Sequence, residues 1–230
     1  MLERESDTMY IGNARLTTKE WISPRTLILE LELESEQTFI PGQFFTFFFQ
    51  REGKKIPRSY SILGMEGKKL TLCIKLVEQG VASEVFEAAK LGDEFSLRGP
   101  FGRFVYQEDE NPNVFLIATD TGIVPFHAML EQGEILKKNV TLLFGSRNQE
   151  EIYFREQYEE LAKKDNFTFL PTLTREEWDG LQGRVQKHLP EWAIFTTFYI
   201  CGRKEMVLEV VDLLKKKGVA DKHIHIERYD

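Results

Sequence analysis

Near residue 108 the hydrophobic rhythm of this sequence changes, and no single layered architecture accommodates both rhythms. Before that point the apolar residues come in short runs: "YIGNARLT", "TLILELELE", "QFFTFFFQ", "SYSIL", "LTLCIKLV" and "EFSLRG". These runs are rich in β-branched and aromatic residues and are separated by Pro, Gly and charged turns, which is the pattern of strands. Six short strands in about a hundred residues predict a small six-stranded antiparallel barrel. The run around Leu29 alternates strictly, so its leucines face inward and Glu30, Glu32 and Glu34 face solvent. One helix is expected from Val81 to Lys90, ended by Gly92.

After "EDENPN" the pattern becomes strand then helix, repeated. "VFLIAT" precedes "IVPFHAMLEQGEILKK", "VTLLFGS" precedes "YFREQYEELAKK", "FTFLPTLT" precedes "RVQKHLPEW", and "FYICG" precedes "EMVLEVVDLLKKK". A last strand, "HIHIERY", closes the chain. That alternation predicts a doubly wound parallel sheet with helices on its faces. The sequence therefore reads as two domains, 1–108 and 109–230.

Composition narrows the function. A net charge of -7 disfavours a nucleic-acid binder, whose partner demands a basic face. The N-terminal "MLERESDTMY" is acidic and lacks an apolar signal core, and no apolar run approaches the roughly 20 residues of a membrane span. A cytoplasmic protein without membrane insertion is expected. Cys73 and Cys201 are too few for a disulfide framework, a thiolate zinc site or an iron–sulfur cluster. His127, His188, His223 and His225 have no metal-ligand spacing, so no metal site is expected. Redox chemistry would have to come from an organic cofactor.

In parallel sheets of this kind ligands bind beyond the carboxyl ends of the strands. The segments there are Asp120-Thr121-Gly122, Ser146-Arg147, Thr174-Arg175 and Cys201-Gly202. The first is a strand-to-helix turn whose free N–H groups suit a phosphate, yet it carries a carboxylate. Two outcomes are open. Asp120 turns away to cap the helix and leaves Thr121 and Gly122 to cradle the phosphates, or it weakens nucleotide binding. The first is the expectation.

Seven segments, "IPRSYSIL" (56–63), "EQGVASEVF" (78–86), "RGPFG" (98–102), "TDTGIVPF" (119–126), "LLFGSR" (142–147), "YICGRKEM" (199–206) and "IHIERY" (224–229), occur in an order and spacing that resemble the ferredoxin–NADP(+) reductase family of flavoenzymes. The resemblance covers nearly the whole chain and implies an FAD-binding barrel followed by an NAD(P)-binding sheet domain. Arg58 would pair with the flavin pyrophosphate, with Tyr60 packed on the flavin and the Ser61 hydroxyl on its N5 side. Ser59, Ile74 and Lys75 would line the cofactor, and Gly80, Val81, Ala82 and Ser83 would form the second phosphate clamp. Cys201 would position the nicotinamide rather than act as a nucleophile. Tyr229 would cover the flavin and give way to nicotinamide, with Glu227 beside Ser61; the extra Asp230 departs from members that end at the aromatic residue. Ser146, Arg147, Thr174, Arg175 and Arg184 match the adenosine-binding positions, and Arg203 and Lys204 replace a proline pair found in many NADH-using relatives. Together these favour NADPH over NADH.

The resemblance thus implies hydride transfer from NAD(P)H to FAD and single-electron transfer to a separate carrier such as ferredoxin or flavodoxin. The basic run "REGKK" with "IPR" (51–58) would dock an acidic carrier or form only a charged hairpin tip. Two alternatives stand beside this reading. One is a free flavin or ferric-chelate reductase. The other is an FAD-bearing electron-transfer subunit with weakened nucleotide binding, raised by Asp120.

Overall fold

A computed structural model describes residues 9–191 and 193–229, so the acidic N-terminal stretch, Trp192 and Asp230 lie outside the described residues. The chain divides into two compact units, Met1–Arg103 and Phe104–Asp230.

The first unit is a closed barrel. Its strands are β1 (Tyr10–Ser23), β2 (Thr26–Leu33), β3 (Phe44–Arg51), β4 (Lys54–Glu66), β5 (Lys69–Lys75) and β6 (Glu94–Phe101), in the order β1-β2-β5-β4-β3-β6. Every ladder is antiparallel. Leu27, Leu29, Leu31 and Leu33 fill the interior as their alternation predicts, together with Phe45, Phe47, Phe95 and Leu97. The acidic row is not wholly solvated. Glu32 and Glu34 are exposed, but half-buried Glu30 accepts the Thr18 hydroxyl at 2.9 Å and pairs with Lys69 at 3.2 Å.

Helix α1 (Val81–Ala88) is held to the barrel by Phe86, which is fully buried. Its ring lies 5.3 Å from Phe49, 5.7 Å from Phe47, 5.5 Å from Tyr60 and 5.2 Å from Phe95. Emptying such a site costs about 3–5 kcal/mol for a Phe-to-Ala change. One aromatic residue therefore fixes the placement of the helix start.

In the second unit the strands are β7 (Asn113–Thr119), β8 (Asn139–Ser146), β9 (Phe167–Leu173), β10 (Leu181–Gln182), β11 (Thr196–Arg203) and β12 (Ile224–Tyr229). All pair in parallel, in the order β10-β9-β8-β7-β11-β12. The chain steps outward from β7 to β10 and then returns to the other side of β7. The order reverses between β7 and β11, the place where such sheets open a ligand crevice.

Helices α2 (Val124–Gln132), α3 (Arg155–Leu161) and α4 (Lys204–Lys216) complete this unit. Val207, Val210 and Leu214 of α4 pack with Phe115, Ile117, Phe198 and Ile200 on one sheet face. On the other, Tyr199 meets Phe104 at 5.9 Å, and Phe104 meets Phe126 of α2 at 5.8 Å. That packing draws Phe104 into the second unit.

Two expected helices differ. The segment 123–138 breaks because Gly133 takes a left-handed φ of 84° and donates its N–H to Met129 O, ending α2; only a 3-10 turn, Glu134–Lys137, follows. Among the described residues of the segment 184–192 there is just a 3-10 turn, Val185–His188, with Val185 buried in the core and Pro190 close behind.

Candidate functional site

On β4, Arg58 stands opposite Phe47 and Tyr60 opposite Phe45, so both side chains share one face. Arg58 is exposed, and its Nη1 donates to Pro57 O at 2.8 Å. Tyr60 is half-buried with its ring edge-on to Phe47 and Phe86, and burial pushes its phenol well above the usual range against the opposing pull of Arg58. Ser59 and Ser61 point to the other face. The Ser59 hydroxyl lies 3.0 Å from that of Thr46, so only the Ser59 backbone adjoins the Arg58 side. Ser61 is 8% exposed. Ile74 belongs to the barrel core, while Lys75 at the end of β5 is half-buried.

The start of α1 carries no side-chain cap at Gly80. Its first N–H groups therefore lack intrahelical partners. Val81 packs against the core and Ala82 is buried. The Ser83 hydroxyl accepts the Val77 N–H at 2.9 Å, which leaves its proton to donate. An exposed guanidinium, an uncapped helix start and a hydroxyl donor are a donor set that fits a pyrophosphate.

In the second unit the turn after β7 is a 3-10 turn, Asp120–Ile123. Gly122 touches the end of β11: a Cβ there would lie 2.3 Å from Cys201 O and 2.6 Å from Cys201 C. No side chain fits, so the turn and the strand end form one close cradle. The Thr119 Oγ1 beside it is buried without a hydrogen-bond partner, a polar atom that suits a ligand group.

Asp120 is half-buried and adopts a left-handed φ of 54°. It is the first residue of the 3-10 turn. The N-cap of that turn is Thr119 and that of α2 is Ile123, and neither position makes a side-chain cap bond. A left-handed φ is one that glycine adopts without steric cost.

Cys201 is fully buried, and burial raises its thiol pKa well above the usual range, with Glu227 adding and the Tyr229 hydrogen bond opposing. That direction favours the protonated thiol over the thiolate that a nucleophile needs. Its Sγ–H donates to the Tyr229 hydroxyl at 3.4 Å, and that hydroxyl donates to Thr121 O at 3.4 Å. Glu227, opposite Cys201 in the β11–β12 register, shares a strand face with Tyr229. Thr121, Cys201, Glu227 and Tyr229 thus meet at the switch point.

The loops after β8 and β9 bring Ser146, Arg147, Thr174 and Arg175 together. Ser146 is 7% exposed and donates its hydroxyl to Glu151 O at 2.9 Å, while the Thr174 hydroxyl donates to Ser146 O at 3.2 Å. Both hydroxyl protons are used within the loops, so the arginines remain as the donors. Arg184 is exposed and follows Gly183, whose N–H donates to Leu173 O at 2.8 Å. Among the described residues no cluster of His, Cys, Asp or Glu is placed to hold a metal, and no helix is long and apolar enough to cross a membrane.

Residues 13–106 match the family described as an oxidoreductase FAD-binding domain, and residues 116–212 match the oxidoreductase NAD-binding domain. Over 94% of its length the chain is 30% identical to ferredoxin–NADP reductase B of Sorangium cellulosum, covering 97% of that protein. The chain belongs to the ferredoxin–NADP reductase family. As a family member it is an electron-transferring oxidoreductase that binds FAD and NAD(P). It is also 27% identical to the reductase component of phenol 2-monooxygenase from Pseudomonas sp. strain CF600, of which it spans 62%. Its fold matches that of a ferredoxin–NADP+ reductase from Neisseria gonorrhoeae with a TM-score of 0.84 at 23% identity, covering 97% of this chain and 99% of that one.

Three features of this family member had no signal in the sequence. Thr119 is an ordinary strand residue until its hydroxyl is found without a partner. Glu176 lies far in sequence from Gln149, whose N–H and side-chain amide both donate to its carboxylate. Phe48 reads as one of a run of phenylalanines, yet Lys55 Nζ lies 4.2 Å and the Arg98 guanidinium 4.9 Å from its ring centroid. Lys55 and Arg98 thus place two cations on the Thr46–Phe48 face of the β3–β4 hairpin, and neither is paired with a carboxylate among the described residues.

Proposed function

We propose that this reductase takes electrons from NADPH through FAD and passes them singly to an acidic carrier protein such as ferredoxin or flavodoxin. The similarity to Sorangium ferredoxin–NADP reductase B, which extends over both halves of the chain, carries this reading. When bound, FAD supplies the step from two-electron to one-electron chemistry. The acceptor centre lies outside this sequence, because two buried cysteines cannot ligate an iron–sulfur cluster.

Residues 1–108 hold FAD in this reading and residues 109–230 hold the nucleotide. Arg58, Ser83 and the first N–H groups of α1 bind the flavin pyrophosphate, Tyr60 offers a flat wall, and Ser61 serves the N5 side. Ser59, Ile74, Lys75, Gly80, Val81 and Ala82 contribute backbone and packing. Thr121, Gly122 and Cys201 position the nicotinamide, with Glu227 alongside, and Tyr229 must release its bonds to Cys201 and Thr121 to admit it. Arg147, Arg175 and Arg184 favour the 2'-phosphate, and Ser146 and Thr174 hold the loops that carry the first two.

The two cations around Phe48 support an acidic partner on a chain whose overall charge is -7. The test is NADPH-driven reduction of ferredoxin and flavodoxin, compared with free FMN and a ferric chelate across a salt series. Carrier reduction should fall steeply with salt, and Lys55→Glu with Arg98→Glu should slow it by about tenfold or more while small-acceptor rates stay within about twofold. Fast small-acceptor reduction with no salt-dependent carrier reaction would instead identify a flavin or ferric-chelate reductase.

A further inference from the structure

The loops after β8 and β9 are laced together. The Thr174 N–H donates to Ser146 O at 3.1 Å and the Arg175 N–H donates to Arg147 O at 2.9 Å. These bonds bring the backbones of two arginines into contact at the ends of adjacent strands. No carboxylate pairs with Arg147 or Arg175 among the described residues, although Glu176 follows directly in sequence. Its carboxylate is engaged elsewhere. It accepts the Gln149 backbone N–H at 2.9 Å and the Gln149 Nε2–H at 2.6 Å, bonds that hold its pKa below the usual carboxylate value, the backbone one most strongly. Arg155 extends the contact, with Nη1 3.5 Å from Gln149 Oε1 and its guanidinium 5.7 Å from the Trp178 ring centroid.

We infer that Glu176 and Gln149 form a clamp that fixes the Arg147 loop against the Arg175 loop, and that this clamp sets the preference for a 2'-phosphate. The inference rests on the proposed role of the two arginines at the adenosine end of the nucleotide. Two long cations gain most from a phosphomonoester when their backbones are held in place beforehand, because less freedom is lost on binding. Gln149 lies just beyond Arg147, so its two hydrogen bonds to Glu176 immobilise the segment carrying that arginine. Glu176 is then a positioning residue, acting through its neighbours rather than on the ligand.

A simpler role competes: a carboxylate near two arginines weakens an anion site by repulsion alone. The two roles predict opposite results. Glu176→Ala removes both charge and clamp, whereas Gln149→Ala removes the side-chain half of the clamp and no charge. Adenosine 2',5'-bisphosphate and 5'-AMP are titrated calorimetrically into the holoprotein, with the melting temperature of each variant confirming folding. Wild type should prefer the bisphosphate. Glu176→Ala should cut that preference by about fivefold or more and Gln149→Ala by about threefold, the scale of single hydrogen bonds, with 5'-AMP binding within about twofold of wild type. Tighter bisphosphate binding by Glu176→Ala with no change in Gln149→Ala would overturn the clamp in favour of repulsion. An unaltered preference in both variants would also overturn it. A wild type without preference, or an Arg175→Ala variant that binds the bisphosphate normally, would overturn the reading of the arginines and the clamp with it.

Discussion

Replacing Asp120 with glycine separates a backbone effect from an electrostatic one at the proposed nucleotide cradle. The left-handed φ of 54° disfavours a residue with a Cβ by about 1 kcal/mol, the lower end of the usual cost because aspartate tolerates this region. Glycine removes that cost but gives the unfolded chain more freedom to lose, about 0.4–1 kcal/mol. The two nearly cancel, so the melting temperature should shift by less than about 3 °C. Stability alone therefore gives no reason to expect glycine or to exclude aspartate.

Electrostatics has the larger range. A carboxylate about 5 Å from one phosphate charge costs roughly 3 kcal/mol at an effective dielectric near 20. Were Asp120 aimed at the pyrophosphate, glycine would tighten NADP(H) by more than a hundredfold, since 1.4 kcal/mol is about tenfold. The half-buried Asp120 sits within the turn, while Thr119 and Gly122 line the contact with β11. On the expectation that Asp120 faces away from the phosphates, the gain is less than about tenfold. Calorimetric titration of NADP+ into both proteins measures it, with flavin content unchanged because the residues proposed to hold the pyrophosphate of FAD are in the other unit. A wild type that binds no nucleotide, paired with a glycine variant that binds it strongly, would refute this and identify an electron-transfer subunit whose nucleotide site is switched off.

Other residues give independent tests. Arg58→Ala should weaken FAD by about tenfold or more, the worth of a charge-assisted hydrogen bond, and release it on gel filtration while circular dichroism stays native; full flavin retention would remove Arg58 from the site. Tyr229→Ser should open the corner between Cys201 and Thr121 and strengthen NADP+ binding by about two- to tenfold, so an unchanged affinity would mean that the ring is only packing. Burial lowers the pKa of His127 from 6.5 to about 4, where it stacks on Phe154 and meets the Tyr158 hydroxyl. The unfolded chain then binds the extra proton, so this contribution is complete above pH 6.5 and is lost as pH falls towards 4, by about 3 kcal/mol in all. Denaturant titrations from pH 7 to about 4 should show this loss in wild type and a flatter profile in His127→Phe; identical slopes would show that His127 does not titrate on unfolding.

What the sequence made legible follows from the range of the forces involved. The barrel strands could be read because Leu27, Leu29, Leu31 and Leu33 obey a local alternation, and the parallel strands because they form continuous apolar runs. Motif order then carried the family assignment. Helices 123–138 and 184–192 were overextended because one left-handed glycine ended the first and a buried valine favoured a short turn in the second, outcomes decided by tertiary packing. Site residues divide in the same way. Which residues approach the switch point follows from strand order, but which hydrogen bonds they spend does not. Ser146 and Thr174 have the right chemistry for a phosphate by residue type, yet both commit their protons to backbone carbonyls of these loops. Glu176, which by type alone would oppose a phosphate, holds the Gln149 amide groups and so braces the loop bearing Arg147. In the proposed reading, specificity at this edge rests on which loop groups remain unspent once the loops have bonded to each other, a quantity set by pairings between distant residues and invisible to any count of basic and hydroxyl side chains.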